Sequence, residues 1–246
     1  ELKPFIISEI QADDFSSSTL FYFDQFLESL SGGVQVLSLF KSNPSVLGLL
    51  IEICGAAPAL AEYLSKNPAV LDYVTERSFF EKLPQLRFLK EDLISRLEDI
   101  VDFEEVLDCI RVWVKENQFK TGVHLLKGFS SVDQCAQSFS NIAEVCLNIL
   151  FDRVNFNFQQ RYGVLPGSGS LILAMGKLGS SEMTLGSDLD LIIIYDALPE
   201  GYSDGKIKVP TQVYFARLTQ AFISAITVET SKGYLFKVDL RLRPSG

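Results

Sequence analysis

A short segment that is both acidic and apolar, GSDLDLIIIYD at residues 186–196, constrains this chain most strongly. Asp188 and Asp190 stand at its start, and the apolar run from Leu191 to Ile194 follows without interruption. Side chains at i and i+2 of a β-strand point to the same face, so the two carboxylates project together, about 6–7 Å apart along the chain. The segment predicts a strand with an acidic entrance and a far end buried on both faces.

A third carboxylate occurs in the strand-like segment KVDLRLRP, where Asp239 stands between Val238 and Leu240. If this strand pairs beside the first, Asp239 joins Asp188 and Asp190 in one cluster. Neighbouring carboxylates repel unless a cation intervenes, and Mg²⁺ prefers oxygen ligands. Two-metal phosphoryl transfer uses such a cluster to hold ions about 4 Å apart. By itself, Asp-x-Asp is equally compatible with a solvated sheet edge.

A glycine-rich connection, GKLGSSEMTLGS, links the predicted strand SLILAM to the acidic strand. Gly176 comes just before a predicted short helix, where backbone N–H groups can hold phosphate oxygens. Lys177 can add positive charge there or can pair with Glu182 on the surface. The order hydrophobic–Gly–x, ten residues, then Asp–hydrophobic–Asp–hydrophobic resembles the nucleotidyltransferase signature of the DNA polymerase β superfamily.

The rest of the chain shows mostly helical periodicity. Residues from 17 to about 128 carry apolar side chains at helical spacing, with no strand pattern of useful length. A second long helix is predicted from about 131 to 162, and Ser131 with Gln134 at its start is typical of a capping box. After it come three apolar strand-like segments and one amphipathic helix, TQVYFARLTQAFISAITV. The pattern predicts an α+β fold.

Three segments, MGKLGSSEMTLGSDLDLIIIYD, YFARLTQAFISAIT and VDLRLRPSG, resemble bacterial glutamine synthetase adenylyltransferase, also called glutamate–ammonia ligase adenylyltransferase. The helical segments SLFKSNPSVLGLLIEICGAAPALAEYLSKNPAVLDYV and FKTGVHLLKG are similar to those that precede the catalytic motif in this family. Gly-Lys-Leu-Gly is usual there, although Ser or Gly is usual at position 177 in the wider superfamily. The resemblance implies a helical domain at residues 1–128. A polymerase-β-like nucleotidyltransferase domain with a small mixed sheet flanked by helices would follow at residues 129–246.

The family's members carry two such catalytic units. One attaches AMP from ATP to a tyrosine of glutamine synthetase, and the other removes it by phosphorolysis, in the control of nitrogen assimilation. YFARLTQ and RLRPSG look more like the C-terminal, adenylylating copy. Members are several times longer than this chain, so we expect a fragment whose nucleotidyltransferase domain is truncated at its C-terminus. Glutamine synthetase is the implied partner, with a PII signalling protein as a further one.

The resemblance also implies roles for individual residues. Those that would hold two Mg²⁺ ions are Asp188, Asp190 and Asp239. Those that would bind the phosphates of ATP are Gly176, Lys177, Ser187, Arg241 and Arg243. Asp239 would in addition accept the proton of the attacking tyrosine hydroxyl. Arg241 and Arg243 follow Asp239 at i+2 and i+4, share its strand face, and would offset charge on departing pyrophosphate.

The net charge, the cysteine spacing and the hydropathy of the chain disfavour several other functions. The formal net charge of -9 and the pI of about 4.7 disfavour binding to nucleic acid, because phosphate backbones require a basic face. Four cysteines without a C-x-x-C pair indicate buried thiols in a reducing cytoplasm. The opening ELKPFIISEI does not resemble a signal peptide, and the most apolar stretch contains Glu52 and is too short for a membrane span. We therefore expect a cytoplasmic protein without nucleic-acid or membrane partners.

Three alternatives remain open on the sequence. The first is the deadenylylating copy of the same family. The second is another protein nucleotidyltransferase of the polymerase-β type, such as a uridylyltransferase. The third is a non-catalytic regulatory fragment that binds glutamine synthetase or PII. His124 is the sole histidine and stands in a helical segment, so we expect it to be structural.

Overall fold

The structure is a computed structural model that describes residues 17–30, 38, 40–74 and 76–239. The chain divides into two compact units, and each unit is built from two segments. One unit comprises residues 1–83 and 115–135, and the other comprises residues 84–114 and 136–246. The domain boundary between residues 128 and 129 stays a prediction.

Helices dominate the part of the chain before the sheet. In chain order they are α1 (Ser17–Glu28), α2 (Pro44–Ala56), α3 (Pro58–Lys66), α4 (Val70–Tyr73), a 3-10 turn (Arg77–Phe80), α5 (Leu86–Arg96), α6 (Phe103–Leu126) and α7 (Val132–Tyr162). The described residues up to Tyr162 contain no strand, as the periodicity predicts. Pro44 and Pro58 each occupy the first turn of a helix, where a missing N–H costs little.

The first unit has its own apolar core. Helices α1, α2 and α3 pack against one another. The fully buried side chains in this unit include Leu47, Leu50, Ile53, Leu64, Phe79 and Phe119. His124 is also buried, with its Nε2 at 3.1 Å from the carbonyl of Phe79 and its Nδ1 at 3.3 Å from the hydroxyl of Ser130. Both ring nitrogens therefore have partners, as expected for a structural histidine.

The start of α7 has the predicted capping box. The backbone N–H of Gln134 donates to the hydroxyl of Ser131 at 3.2 Å. In return, the backbone N–H of Ser131 donates to the side-chain carbonyl of Gln134 at 2.9 Å. Two donors that the helix itself leaves unsatisfied are thereby paired.

The second unit contains a small mixed sheet. Its elements are β1 (Gly169–Ala174), the one-turn helix α8 (Gly176–Gly179), β2 (Leu189–Asp196), α9 (Thr211–Thr227) and β3 (Val238–Asp239). The strand order is β1-β2-β3, with β1 antiparallel and β3 parallel to β2. A three-stranded mixed sheet with helices around it confirms the α+β prediction.

Helices cover one face of this sheet. Leu189 and Leu191 of β2 are buried, and the ring of Tyr195 stacks on Phe215 of α9 with 4.2 Å between centroids. Helix α7 packs on α9 through edge-to-face contacts, among them Phe151 on Phe222 at 5.1 Å. Apolar contact on this face therefore fixes β2 against α9.

The other face of the sheet is open, which corrects one expectation. Leu171 and Ile194 lie opposite each other on β1 and β2 and are 53% and 46% exposed. The prediction that the far end of β2 is buried on both faces is therefore wrong. Side chains alternate along a strand, so this open face is the one that also carries Asp190, four residues before Ile194. Among the described residues, no helix is both long enough and apolar enough to cross a membrane.

Candidate functional site

The pairing of β2 with β3 brings two of the predicted carboxylates together. Asp190 lies directly opposite Asp239, and Leu189 lies opposite Val238. The backbone N–H of Leu189 donates to the carbonyl of Lys237 at 2.9 Å, which fixes this register. Opposite residues of neighbouring strands, about 4.8 Å apart, project to the same face. Asp190 and Asp239, both half-buried, thus form a carboxylate pair at the entrance of β2.

Asp188 is not drawn into this pair. It lies one residue before β2 and its side chain is exposed. Within the described parts of the chain, no three acidic, histidine or cysteine side chains converge into a group that could hold a metal ion. The structure thus assembles the pair and leaves the third member apart. Asp188 precedes the hydrogen-bonded ladder that aligns Asp190 with Asp239.

The carboxylate pair is chemically suited to a hard cation. Asp190 and Asp239 offer only oxygen donors, which Mg²⁺ prefers over the nitrogen and sulfur donors that select zinc. Asp188 stands two residues from Asp190 and is the nearest further carboxylate in the sequence. The donor set therefore fits Mg²⁺, with Asp188 as the predicted additional ligand.

The glycine turn lies directly against Asp190. Gly176 has a φ of +51°, in the left-handed region that glycine adopts without strain. A Cβ built at this position would overlap Oδ2 of Asp190. The backbone N–H of Met175 donates to the carbonyl of Asp190 at 2.9 Å, so the turn and the strand are joined as well. Glycine is therefore required here twice, by the backbone angle and by the neighbouring carboxylate.

A buried side chain and a hydrogen bond to α7 fix the loop between α8 and β2. The side chain of Met183 is buried, and its backbone N–H donates to the hydroxyl of Ser140 on α7 at 3.3 Å. Ser181 has a φ of +61°, which is uncommon for a residue with a side chain. Hydrogen bonds within the loop and to α7 thus determine where it delivers Ser187 and Asp188.

Of the polar residues predicted to bind the phosphates, the structure describes Ser187 and Lys177, and these two differ in their surroundings. The hydroxyl of Ser187 lies 2.9 Å from the hydroxyl of Thr184 and accepts from the Thr184 backbone N–H at 3.0 Å. Lys177 is exposed, and among the described residues no ion pair joins it to Glu182. The Glu182 carboxylate instead accepts from the hydroxyl of Ser180 at 2.9 Å. The ammonium of Lys177 is therefore not held by Glu182.

Two predicted phosphate ligands, Arg241 and Arg243, lie outside the described residues. Their contribution stays a prediction. The described part of β3 ends at Asp239, so the structure gives the position of the carboxylate but not of the two guanidinium groups.

One buried charge in this unit was not predicted from the sequence. Arg111 of α6 is fully buried, and its Nη2 donates to the carbonyls of Ala225 and Val228 at 3.1 and 3.0 Å. Burial lowers the pKa of the Arg111 guanidinium, and nearby Asp108 acts in the opposite direction. The available signal was an arginine inside the apolar run CIRVWV, which is unusual for a solvated helix face.

Comparison with known proteins agrees with these observations. Residues 47–246 match the family model described as glutamate-ammonia ligase adenylyltransferase. Proteins of Brucella melitensis biotype 1, Bartonella henselae and Mesorhizobium japonicum are 40%, 38% and 38% identical to the chain over 247 aligned residues. Each is named a bifunctional glutamine synthetase adenylyltransferase/adenylyl-removing enzyme. Each alignment covers 100% of this chain, and the chain spans only 25% of each relative's length.

Proposed function

The chain belongs to the glutamate–ammonia ligase adenylyltransferase family, and we propose that it catalyses Mg²⁺-dependent transfer of AMP from ATP to a tyrosine of glutamine synthetase. One observation supports this most directly, namely the register that puts Asp190 opposite Asp239 with the Gly176 turn against Asp190. We further propose that the protein works in the cytoplasm and that a PII protein regulates it.

Asp239 and Gly176 have different roles in the proposed AMP transfer. The tyrosine oxygen attacks the α-phosphorus of ATP, a new oxygen–phosphorus bond forms, and the bond to the bridging oxygen breaks as pyrophosphate leaves. Asp239 accepts the tyrosine proton, for which a carboxylate at hydrogen-bonding distance suffices. The absence of a side chain at Gly176 lets the turn lie directly against the Asp190 carboxylate.

The negative charge of the triphosphate must also be neutralised during the reaction. Bound by Asp188, Asp190 and Asp239, Mg²⁺ would supply positive charge to the triphosphate and the leaving pyrophosphate. Lys177 adds a cation beside the turn, and Ser187 offers a hydroxyl at the entrance of β2. In this role the chain mainly positions the reactants and offsets their charge.

A second candidate function is favoured by the name of the relatives, which includes an adenylyl-removing activity. In that reaction, phosphate attacks the phosphorus of adenylylated tyrosine, the tyrosine oxygen leaves, and Asp239 returns a proton to it. The carboxylate pair of Asp190 and Asp239 suits either reaction. The two functions therefore differ in the substrate supplied rather than in the residues described.

The deciding experiment measures label in both directions with Mg²⁺ present. Label from α-phosphate-labelled ATP is followed onto glutamine synthetase, and in parallel its loss is followed from pre-adenylylated synthetase with added phosphate. The test variant is Asp188→Asn/Asp190→Asn. Asp196→Asn is the matched control, since Asp196 is exposed at the opposite end of β2, across from Gly169.

We expect label transfer by the wild type and by Asp196→Asn, and a rate lower by about 100- to 1,000-fold in the double variant. Loss of label from the adenylylated synthetase, without transfer from ATP, would assign the second candidate function. If the wild-type protein performs neither reaction, the enzymatic proposal is wrong and a binding role for the chain takes its place.

A further inference from the structure

The contacts of the Arg111 side chain do not offset the free-energy cost of burying its charge. Its side chain is fully buried, yet Nε and Nη1 have no hydrogen-bond partner among the described residues. Oδ1 of Asp108 lies 3.9 Å from Nη1. Burial of a charge with unused donors opposes folding, and apolar replacements of such groups are often neutral or stabilising. This arrangement therefore indicates a role other than stability.

The bonds that Arg111 does make are directed at the end of α9. The carbonyls of Ala225 and Val228 belong to the last turn of that helix and the residue after it, and both accept from Nη2. Helix C-termini leave carbonyls unsatisfied and favour cations. Three residues before Arg111, the carboxylate of Asp108 accepts from the hydroxyl of Thr230 at 2.7 Å. One turn of α6 thus holds three positions between 225 and 230.

Backbone hydrogen bonds also fix the chain from Thr230 to Leu235. Thr230 and Gly233 form a bridge, with N–H to carbonyl distances of 3.2 and 2.9 Å in the two directions. The backbone N–H of Leu235 then donates to the carbonyl of Ile226 on α9 at 3.0 Å. The segment is therefore folded back onto the helix end that Arg111 holds.

The same connection continues into the strand that carries the catalytic carboxylate. Phe236 is buried, and the carbonyl of Lys237 accepts from the backbone of β2 at 2.9 Å. Two residues later, Asp239 lies opposite Asp190. Hydrogen bonds or buried side chains thus secure the path from residue 225 to residue 239 at short intervals.

We propose that Arg111 and Asp108 are positioning residues, which hold the segment 225–230 so that β3 presents Asp239 beside Asp190. They act through the backbone and contact no substrate. The kinetic part of this inference rests on the proposed function, whereas the structural part does not.

The kinetic test compares Arg111→Met with Arg153→Met in the protein as its gene encodes it. Arg153 is a suitable control because it is a half-buried arginine in the same unit, and its Nη2 donates to the carbonyl of Leu97 at 3.5 Å, away from the segment 225–230. We expect kcat to fall about 100-fold in Arg111→Met, the scale of a ~1 Å misplacement, while KM for ATP stays within about twofold. Arg111→Lys should recover part of kcat, since one ammonium can reach one carbonyl.

A second readout does not depend on activity. Amide hydrogen exchange, followed by mass spectrometry, should become faster across residues 228–239 in Arg111→Met, while peptides of β1 stay unchanged. Asp108→Ala removes the acceptor of the Thr230 hydroxyl and the ion pair with Arg111 at a half-buried position. The Thr230 hydroxyl keeps its contacts with Lys232 and Gly233, so this variant keeps the test valid if Arg111→Met fails to fold. We expect it to produce the same pattern of exchange in milder form.

The outcomes separate the two proposals. Faster exchange at 228–239 in Arg111→Met, in a protein whose wild type transfers no AMP, would overturn the proposed function and keep the positioning pair. Unchanged exchange, together with a kcat equal to that of Arg153→Met, would overturn the positioning pair and leave the proposed function intact. For Asp108→Ala, exchange that matches the wild type would likewise count against the positioning pair.

Discussion

Because Gly176 has no side chain, the turn after β1 can approach the carboxylates closely. Gly176 combines a φ of +51° with a position at which a Cβ would overlap Asp190 Oδ2. An alanine there must either move the turn or displace the carboxylate. Since the site depends on where that carboxylate points, activity should be more sensitive than stability to this change.

Gly176→Ala should therefore lower AMP transfer by about 100-fold. Its free energy of unfolding should fall by only about 1–2 kcal/mol, the cost of left-handed backbone with a side chain. Gly169→Ala is the control, because a Cβ added to Gly169 would meet no heavy atom within 4 Å. Initial rates and urea unfolding of both variants provide the comparison. Equal rates for the two would contradict a close-packed turn.

Residues of the site differ in how well the sequence revealed them. Asp190, Asp239 and Gly176 could be selected as candidates because their spacing and their apolar neighbours resemble a known motif, and their roles stay predictions. Arg111 could not, since its burial depends on where α9 ends, more than a hundred residues later in the chain. A local pattern shows that a residue is charged, but only tertiary packing shows what its charge contacts.

The strands likewise include features that the sequence predicted and features that it did not. Their apolar runs predicted β1 and β2 because strand periodicity is local. The open face of the sheet was not predicted, since Leu191 to Ile194 have the same composition whether one face or both are covered. Pairing of β3 with β2 was only a condition in the prediction from sequence, and its direction was left open. The structure shows parallel pairing at Leu189 and Asp190.

Capping of α7 gives a prediction for one element. Ser131→Ala removes the hydroxyl that accepts from Gln134 N–H, which should cost about 1 kcal/mol of unfolding free energy. Ser45→Ala is the control, since Ser45 is exposed in the first turn of α2, and its change should stay within about 0.5 kcal/mol. Urea unfolding followed by circular dichroism measures both. A loss no larger than the control's would show that the capping box does not stabilise α7.

Over the whole molecule, a single histidine and an excess of acids determine how stability responds to mild acid. The formal net charge is -9, so moderate acidification relieves repulsion among surface carboxylates. His124 acts against this trend. Its Nε2–H donates to the Phe79 carbonyl, which can only accept, so in the neutral ring Nδ1 accepts from the hydroxyl of Ser130.

Burial lowers the pKa of His124 from its ordinary value of about 6.5, and the nearby charge of Lys120 lowers it further, whereas the bond to Phe79 raises it. A histidine with a lowered pKa stays neutral in the folded state while the unfolded chain takes up a proton below pH 6.5. Its contribution to stability is therefore complete above about pH 6.5 and declines as the pH falls towards the folded-state pKa, by at most ~1.4 kcal/mol per pH unit.

His124→Gln keeps an amide donor for the Phe79 carbonyl and removes the titration. Between pH 7.5 and pH 5.5 the imidazole of the unfolded chain takes up its proton, so the wild-type unfolding free energy should decline relative to this variant by up to about 1 kcal/mol. Both proteins share the same carboxylates, so the difference between their urea midpoints isolates the imidazole. Parallel pH profiles for the two proteins would mean that the folded state accommodates the imidazolium as easily as the unfolded chain does.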